Sequence, residues 1–244
     1  MNFIGIIPAR WSSTRFPGKP LINIQGKSMI QRVYEQASQS KLLSEIIIAT
    51  DDERIETEAK KFKAKVVMTS NLHRTGTDRC AEALTMIHTT SDVAINIQGD
   101  EPFIHPEQID LLCNSFINKS GIEISTLRKP IKDLTEIENE NVVKVVTDKN
   151  EVALYFSRCA IPFVRDKELI FKTRYFKHIG IYAYRVDVLK QIVKLKTTQL
   201  EEAENLEQLR WLENGYRIQT VLTENETLAI DTPDDLEKIK SLYL

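Results

Sequence analysis

The chain has 244 residues, 42% of them hydrophobic, which is enough apolar surface for a sizeable core in one α/β domain. Its formal net charge of -2 argues against broad binding of nucleic acid, so any basic site must be local. No stretch reaches the ~20 apolar residues of a membrane span, and the first residues lack a signal-peptide pattern. We therefore expect a soluble cytoplasmic protein that binds neither nucleic acid nor membrane.

The cysteines carry no sign of a disulfide or metal site. Cys80, Cys113 and Cys159 are odd in number, lie far apart and form no CxxC motif. Each lies in an apolar helix-like or strand-like setting. We predict that all three are core residues.

The first half of the chain alternates between two hydrophobic patterns. Short apolar runs predict strands buried on both faces, at residues 3–7, 45–50, 65–68 and 93–98. Apolar residues at helical spacing predict helices around 29–37, 55–62 and 79–87, with another that begins at Pro106. Strands and helices in alternation indicate βαβ units and a mainly parallel sheet.

The pattern changes after residue 140. Strands are predicted at 142–146, 152–156 and 176–184 with no clear helix between them, either as a smaller antiparallel lobe or as strands added to the sheet edge. Further elements are predicted at 186–193 (helix), 202–213 (helix), 217–222 (strand) and from Thr232-Pro233 (helix start). We predict the α/β class: a Rossmann-like, mainly parallel central sheet flanked by helices, in a single domain over 1–244, with a smaller antiparallel lobe at about 140–185.

A basic loop follows the first predicted strand. Residues 8–21 read PARWSSTRFPGKPL and contain Arg10, Arg15 and Lys19, and no acid occurs before Glu35. In open α/β sheets, ligands bind outside the carboxyl ends of the strands. Guanidinium and ammonium groups there suit a polyphosphate, although the loop matches neither a Walker A nor a G-x-G-x-x-G pattern. A solvated basic loop without a ligand is the alternative.

The sequences of the loop and of several later motifs resemble those of a known family. IIPAR and STRFPGKPL are similar to the nucleotide-binding signature of the sugar nucleotidyltransferases, and within them to the 3-deoxy-D-manno-octulosonate (Kdo) cytidylyltransferases. The further motifs that match, in the family's order, are GTDRCAEA (76–83), NIQGDEP (96–102), ALYFSR (153–158), HIGIYAYR (178–185), LEQLR (206–210) and DTPDDLEK (231–238). The resemblance covers nearly the whole chain. It implies CTP and Kdo as substrates, Mg²⁺ as cofactor and a homodimer, formed through the middle strands.

Acidic residues follow two apolar segments of the chain, and we expect both aspartates to lie at the sheet edge where the basic loop lies. Asp100 and Glu101 come after strand 93–98, and Asp231 follows a short apolar pair. Carboxylate oxygens are natural Mg²⁺ ligands, and the resemblance implies that Asp100 and Asp231 form the metal pair. Alternatively, Asp100 ends a strand in a turn, Asp231 stabilises a helix N-terminus, and Glu101 is a solvent-facing turn residue.

The resemblance also assigns substrate contacts. It implies nucleotide binding by Arg10, Ser13, Arg15, Lys19, Arg79 and Gln98, of which Arg10 and Lys19 act in catalysis with the two aspartates. It implies sugar binding by Gln98, Arg158, Arg165, His178, Tyr182, Glu207 and Gln208. An acidic sugar needs a cation for its carboxylate, and its hydroxyls need both donors and acceptors.

Four of the sugar contacts have a simpler alternative reading. His178 could be a hydrogen-bonded strand histidine. Tyr182 and Tyr184 alternate along a strand, so we expect one of them to face inward as core. Glu207 and Gln208 are consecutive on a helix and could form an exposed face.

The sequence therefore predicts an enzyme that transfers CMP from CTP to the anomeric hydroxyl of Kdo, with release of pyrophosphate, for lipopolysaccharide synthesis. Other acidic sugars are alternative acceptors: sialic acid, whose enzymes typically show GGSK after the first strand, and 8-amino-Kdo. A non-catalytic nucleotide-binding protein is the more distant alternative. The presence of Arg10, Lys19, Asp100 and Asp231 argues against it.

Overall fold

The structure is a computed structural model that describes residues 1–12, 16–226, 228–230 and 232–237. Its strands are β1 (Phe3–Ala9), β2 (Asn23–Ile24), β3 (Lys27–Ser28), β4 (Leu43–Thr50), β5 (Lys65–Met68), β6 (Val93–Asn96), β7 (Ile124–Pro130), β8 (Lys144–Thr147), β9 (Ala153–Ser157), β10 (Phe176–Arg185) and β11 (Ile218–Leu222). Its helices are α1 (Met29–Ala37), α2 (Glu53–Lys61), α3 (Gly76–Met86), α4 (Pro106–Asn118), α5 (Thr135–Glu138), α6 (Val186–Ile192), α7 (Gln199–Glu204) and α8 (Glu207–Glu213). Short 3-10 segments cover Lys19–Leu21 and Lys167–Lys172.

One large sheet organises the described part of the chain. Its main order is β11-β7-β10-β6-β1-β4-β5, with β8 and β9 branching from β10. Parallel contacts join β6, β1, β4 and β5, and also β7 and β11, whereas β10 runs antiparallel to both of its neighbours in this order. The predicted fold class, a mainly parallel sheet flanked by helices, is confirmed.

Apolar side chains of β1 point alternately to the two faces of the sheet, which explains why helices cover both faces. Phe3 and Ile7 belong to a core with α1, α2 and α4, while Ile4 and Ile6 belong to a second core with α3, α6 and α8. Successive side chains of a strand point to opposite faces, so an unbroken apolar run requires helices on both sides. The result is a three-layer α/β/α arrangement.

Local sequence signals set the starts of several helices. Ser28, Asp52 and Thr75 each accept a backbone N–H of the first turn of α1, α2 and α3, as N-cap residues do. Pro106 is the first residue of α4, where its missing N–H costs nothing. Residues 233–237 are helical after Thr232, whose hydroxyl accepts the N–H of Asp235, so the predicted final helix start is confirmed.

The predictions for the second half of the chain need correction in two places. The sequence pattern predicts no strand at β7, whose charged residue Arg128 is buried in the fold against Thr220 and Glu151. The single helix predicted over 202–213 is two helices. Asn205 separates α7 from α8 with a left-handed φ of 52°, a conformation that asparagine tolerates.

Of the three predicted antiparallel strands, one lies within the main sheet and two branch from it. β10 lies inside the main sheet, between β6 and β7. β8 and β9 pair with each other, and β8 continues to β10 through one residue pair, Lys177 with Lys144. Thus the region from 140 to 185 is joined to the central sheet by β10 itself. In the described part of the chain, no helix is long and apolar enough to cross a membrane.

Gly99→Ala should destabilise the fold and displace the turn after β6. A Cβ at residue 99 would lie 2.6 Å from the carbonyl oxygen of Pro8, and this neighbour is backbone that has no alternative rotamer. We expect a loss of about 1–3 kcal/mol in the free energy of unfolding, as for overpacked interiors, measured by urea denaturation.

The matched control is Gly180→Ala, since a Cβ at Gly180 meets nothing within 4 Å. Equal stability losses in the two variants would contradict the close approach of the β6 turn to Pro8.

Candidate active site

A cleft opens at the carboxyl ends of β1 and β6. The chain leaves β1 toward β4 on one side and leaves β6 toward β7 on the other, which makes this the topological switch point of the sheet. The cleft is lined by Pro8, Ala9, Arg10, Lys19, Pro20, His73, Arg74, Thr75, Gly76, Arg79, Gln98, Gly99 and Asp100. The predicted nucleotide residues that the structure describes therefore meet in one place.

Two glycines allow three chain segments to converge on Pro8. Gly99, in the turn after β6, approaches the Pro8 carbonyl, as described above. Gly76, the first residue of α3, packs against the Pro8 ring, where a Cβ would lie 3.1 Å from Cγ. Because neither glycine has a side chain, the backbones of these segments come close to Pro8 at the wall of the cleft.

Lys19 and Asp100 form the central charged contact of the cleft. The Lys19 Nζ donates to Asp100 Oδ2 over 2.7 Å, and the two side chains are 13% and 26% exposed. Lys19 begins a 3-10 turn after Gly18, which has the left-handed φ of 72°. Asp100 therefore is not only the end of a strand, since it faces the basic loop across the cleft.

The second predicted metal ligand, Asp231, lies outside the described residues, as do Ser13 and Arg15. The residue before Asp231 is described: Ile230 donates its N–H to the carbonyl oxygen of Asp100 over 2.9 Å. Glu101, the third acid considered, is 8% exposed, so its reading as a solvent-facing turn residue is wrong.

The donor set around Asp100 suits Mg²⁺. This ion prefers hard oxygen ligands and commonly takes one or two carboxylates, with substrate phosphates and water completing its shell. Asp100 supplies such an oxygen beside cationic groups that would hold a triphosphate. Among the described residues, no cluster of three or more metal-binding side chains occurs, so a metal at Asp100 would draw its other ligands from substrate, water or Asp231.

Arg79 is buried and forms hydrogen bonds with other residues of the protein. Its guanidinium donates to Asp51 Oδ2 over 2.9 Å and to Thr69 Oγ1 over 2.6 Å, and the residue is 3% exposed. It thereby ties α3 to the ends of β4 and β5. Its predicted contact with the nucleotide stays a prediction.

A second group of predicted residues surrounds an aromatic cluster next to the cleft. The rings of His178 and Tyr182 lie 5.2 Å apart, and Tyr182 meets Trp211 edge-on at 5.1 Å. Glu207 and Gln208 begin α8 beside them, and Gln208 is 6% exposed. The alternative of an exposed helix face for this pair is therefore wrong.

Tyr182 and Tyr184 lie on the same face of β10, and both are core residues. They are 6% and 0% exposed, and their rings stack 5.8 Å apart against Trp211. The expectation that only one faces inward is wrong, because residues two apart on a strand point the same way.

The cleft and the aromatic cluster are directly connected. Gln98 donates its Nε2 to the carbonyl oxygen of Gly180 over 2.9 Å, at an irregularity in the pairing of β10. Thr77, in the first turn of α3, donates to Glu207 Oε2 over 2.7 Å. Burial raises the pKa of the Glu207 carboxyl, while the Thr77 hydrogen bond works in the opposite direction.

His178 is a neutral, oriented ring. Burial lowers its pKa to about 3. The Thr126 hydroxyl lies 2.8 Å from the carbonyl oxygen of Ile181 and 3.0 Å from His178 Nε2. Since the hydroxyl has one proton and the carbonyl only accepts, we assign the Nε2 proton to His178, which leaves Nδ1 as an acceptor. A neutral imidazole of this kind suits a sugar hydroxyl.

The two arginines predicted for the sugar carboxylate behave differently. Arg158 donates from Nε to the carbonyl oxygen of Glu204 over 2.8 Å and from Nη1 to that of Glu140 over 2.9 Å, so it joins the end of β9 to the end of α7 and to the loop that contains Glu140. Arg165 is exposed in the connection between β9 and β10. The structure does not join either residue to the aromatic cluster through a direct hydrogen bond.

Sequence reasoning missed several residues of the site. His73 and Arg74 line the cleft, and His73 Nε2 lies 2.6 Å from Glu82 Oε2. The amide oxygen of Asn96 is buried without a hydrogen-bond partner among the described residues. The motif NIQGDEP contains Asn96, but only the fold reveals that its oxygen is unsatisfied. Conversely, the prediction that all three cysteines are core is wrong for Cys159, which is exposed.

Comparisons with known proteins identify the family of the chain. The family model described as cytidylyltransferase matches residues 4–221. The chain belongs to the cytidylyltransferase family. It is 54% identical to the 3-deoxy-manno-octulosonate cytidylyltransferase of Parabacteroides distasonis, with 98% of this chain and 96% of the relative covered. It is 55% identical to that of Phocaeicola vulgatus, with 99% and 97% covered.

A solved structure matches along the whole chain. It is described as CMP:2-keto-3-deoxy-manno-octonic acid synthetase complexed with CTP, and it aligns with a TM-score of 0.93 at 43% identity over 99% of this chain and 98% of that one. A cytidylyltransferase from Leptospira borgpetersenii shares the fold, with a TM-score of 0.66 at 19% identity over 99% of this chain and 86% of that one. The predicted nucleotidyltransferase family is thus confirmed.

His178→Gln should make the protein less sensitive to acid. The folded-state pKa of about 3 lies below the ordinary value of 6.5, so the unfolded chain binds a proton that the folded chain does not. Stability therefore falls as the pH drops below about 6.5, with at most about 1.4 kcal/mol per pH unit from this group. Urea unfolding at several pH values from about 5 to 7.5 should show a shallower acid limb for the variant.

The control is His88→Gln, because His88 is an exposed histidine. An acid limb that is unchanged in His178→Gln, or equally shallow in His88→Gln, would refute the assignment of a neutral His178.

Proposed function

We propose that this protein transfers CMP from CTP to the anomeric hydroxyl of Kdo, giving CMP-Kdo and pyrophosphate. The observation that carries the proposal is the cleft at the switch point, where Arg10, Lys19 and Asp100 meet, in a chain that matches Kdo cytidylyltransferases over nearly its full length. Because CMP-Kdo is the activated sugar for lipopolysaccharide, we place the activity in lipopolysaccharide biosynthesis, in the cytoplasm.

In this proposal the basic loop binds the triphosphate. Arg10 and Lys19 line the cleft, and their charges would neutralise the phosphates of CTP and then the leaving pyrophosphate. Arg15 and Ser13 would add to this binding. The rate gain comes from positioning and electrostatics, without a covalent enzyme intermediate.

Asp100, together with Asp231, would hold the Mg²⁺. When bound, this ion supplies counter-charge to the triphosphate and polarises phosphate oxygens. Asp100 also accepts a hydrogen bond from Lys19, a residue of the basic loop, so the carboxylate lies beside a cation that would contact the triphosphate. The sugar would enter beside Gln98 and the aromatic cluster, where His178 offers an acceptor and Glu207 a carboxyl group.

Asp100→Asn should abolish most turnover in a folded protein. The change removes the negative charge but keeps the shape, and removal of one electrostatic element of a reaction centre costs about 10²- to 10³-fold in kcat. Pyrophosphate release, coupled to a colour-forming reaction, measures this loss, and circular dichroism confirms folding.

The control is Asp187→Asn, since Asp187 is an acid whose side chain is 70% exposed on α6. Near-normal turnover in Asp100→Asn would overturn the metal assignment.

The substrate assignment needs a separate assay. We expect pyrophosphate release with CTP and not with UTP or GTP, and with Kdo in preference to 8-amino-Kdo and sialic acid. Pyrophosphate release that is faster with another sugar would replace Kdo as the acceptor but keep the cytidylyl transfer. CTP binding without turnover on any of the sugars would instead support a binding protein.

We further propose that the protein is a homodimer. Large apolar side chains are exposed between β9 and β10, where Phe163 is 85% and Phe171 is 82% exposed, and Leu154 on β9 is 62% exposed. Such a concentration of exposed apolar side chains is typical of an interaction surface.

Phe171→Asp should shift the mass measured by light scattering from dimer toward monomer, because a charge at an apolar interface is not compensated. Ile117→Asp is the control, at a 52% exposed apolar residue on α4. A wild-type monomer, or a dimer unaffected by Phe171→Asp, would contradict the proposed surface.

A further inference from the structure

Trp11 and Gly18, two residues of the basic loop, contact each other directly. The Gly18 N–H donates to the carbonyl oxygen of Trp11 over 3.1 Å. The indole packs on Gly18 so closely that a Cβ there would lie 2.9 Å from Trp11 Cη2. Trp11 follows Arg10, and Gly18 precedes Lys19, so this contact is one residue away from each of these two cations of the basic loop, which line the cleft.

The indole also contacts α2 through Arg54. The Cζ atom of Arg54 lies 3.4 Å from the centroid of the Trp11 ring, a distance at which a guanidinium is attracted to an indole face. Arg54 is held in turn by Asp52, from Nε to Oδ1 over 2.9 Å and from Nη2 to Oδ2 over 2.6 Å.

Asp52 is itself fixed. It is the N-cap of α2 and accepts the backbone N–H of Arg54 over 2.9 Å. Asp52 is the second residue after the end of β4, the strand that pairs with β1. A continuous set of contacts therefore runs from the β4 end through Asp52, Arg54 and Trp11 to Gly18.

We propose that Trp11 is a positioning residue for triphosphate binding: held by Arg54 and Gly18, it keeps Arg10 and Lys19 side by side at the cleft. The inference rests on the proposed function, which makes these cations the triphosphate site. Arg54 acts through the indole, because two of its nitrogens already donate to Asp52. Its charge is not itself a phosphate contact.

The first test separates the two substrates. Trp11→Ala should raise the KM for CTP by about three- to thirtyfold, the range expected for a lost cation–π contact, while the KM for Kdo stays within about twofold. Trp11→Phe, which keeps an aromatic face, should stay within about threefold of the wild type. If Trp11→Ala only destabilised the fold, the fraction of active enzyme would fall and the KM values for CTP and for Kdo would both stay unchanged.

The second test asks how Arg54 acts. If its guanidinium positions the indole, Arg54→Lys should raise the KM for CTP about as much as Arg54→Gln, because an ammonium cannot reproduce the planar fork on Asp52 and Trp11. If Arg54 binds phosphate directly, Arg54→Lys should be close to wild type, which would overturn the proposal. Lys60→Gln, an exposed change on the same helix, is the control.

A double variant tests the linkage. Trp11→Ala combined with Arg54→Gln should raise the KM for CTP no further than Trp11→Ala alone, since the two residues act in one set of contacts. Multiplication of the two single effects would mean that the residues act independently and would contradict the proposal.

Calorimetric titration with CTP distinguishes a failure of this inference from a failure of the function. Wild-type binding that is weakened by Lys19→Ala supports the triphosphate site itself. With that result in hand, unchanged CTP affinity in Trp11→Ala overturns only the positioning role. Absence of wild-type binding overturns both.

Discussion

The cleft depends on how closely the turn after β6 approaches the end of β1. At Gly99 there is no room for a Cβ against the Pro8 carbonyl oxygen, and Gly76 brings the start of α3 against the Pro8 ring from another strand connection. This convergence places Asp100 opposite the basic loop and carries Thr77 to Glu207. The contacts between the nucleotide cleft and the aromatic cluster follow from the same approach.

Charge in this protein is organised locally. The chain is nearly neutral as a whole, yet its first acid is Glu35, so the first loop is electropositive. The fold then brings Asp100 to this loop, in direct contact with Lys19. Arg54 illustrates the opposite use of a cation: it is paired within α2 and contributes shape, through Trp11, more than charge.

The cationic and aromatic parts of the site have different physical characters. The cleft is open and charged, which suits a polyphosphate that arrives with its own counter-ions. In the cluster around His178, Tyr182 and Trp211, the tyrosine and the tryptophan are buried, and the half-buried imidazole is neutral. Hydrogen bonds from Gln98 and Thr77 join the two, so groups that would contact nucleotide and sugar are fixed relative to each other.

Much of this arrangement follows from local signals. The first-half strands and helices lie within a few residues of their predicted positions, because apolar runs, helical spacing and N-caps depend on near neighbours. The basic loop, Asp100 and the family motifs could be identified in the same way. β7 and the break at Asn205 could not, since Arg128 is buried only by virtue of Thr220 and Glu151, which lie far away in the sequence.

The sequence alone therefore determined the fold class, the family and the local chemistry of the loop and the acids. Only the tertiary structure decided which side chains already form hydrogen bonds within the protein, as those of Arg79 and Arg158 do, and which line the cleft. It also decided that Tyr182 and Tyr184 are both core and that Trp11 bridges Arg54 and Gly18. The reason is physical. These side chains are held by hydrogen bonds and packing between segments that are distant in the sequence, and a local sequence pattern does not show which distant segments come into contact.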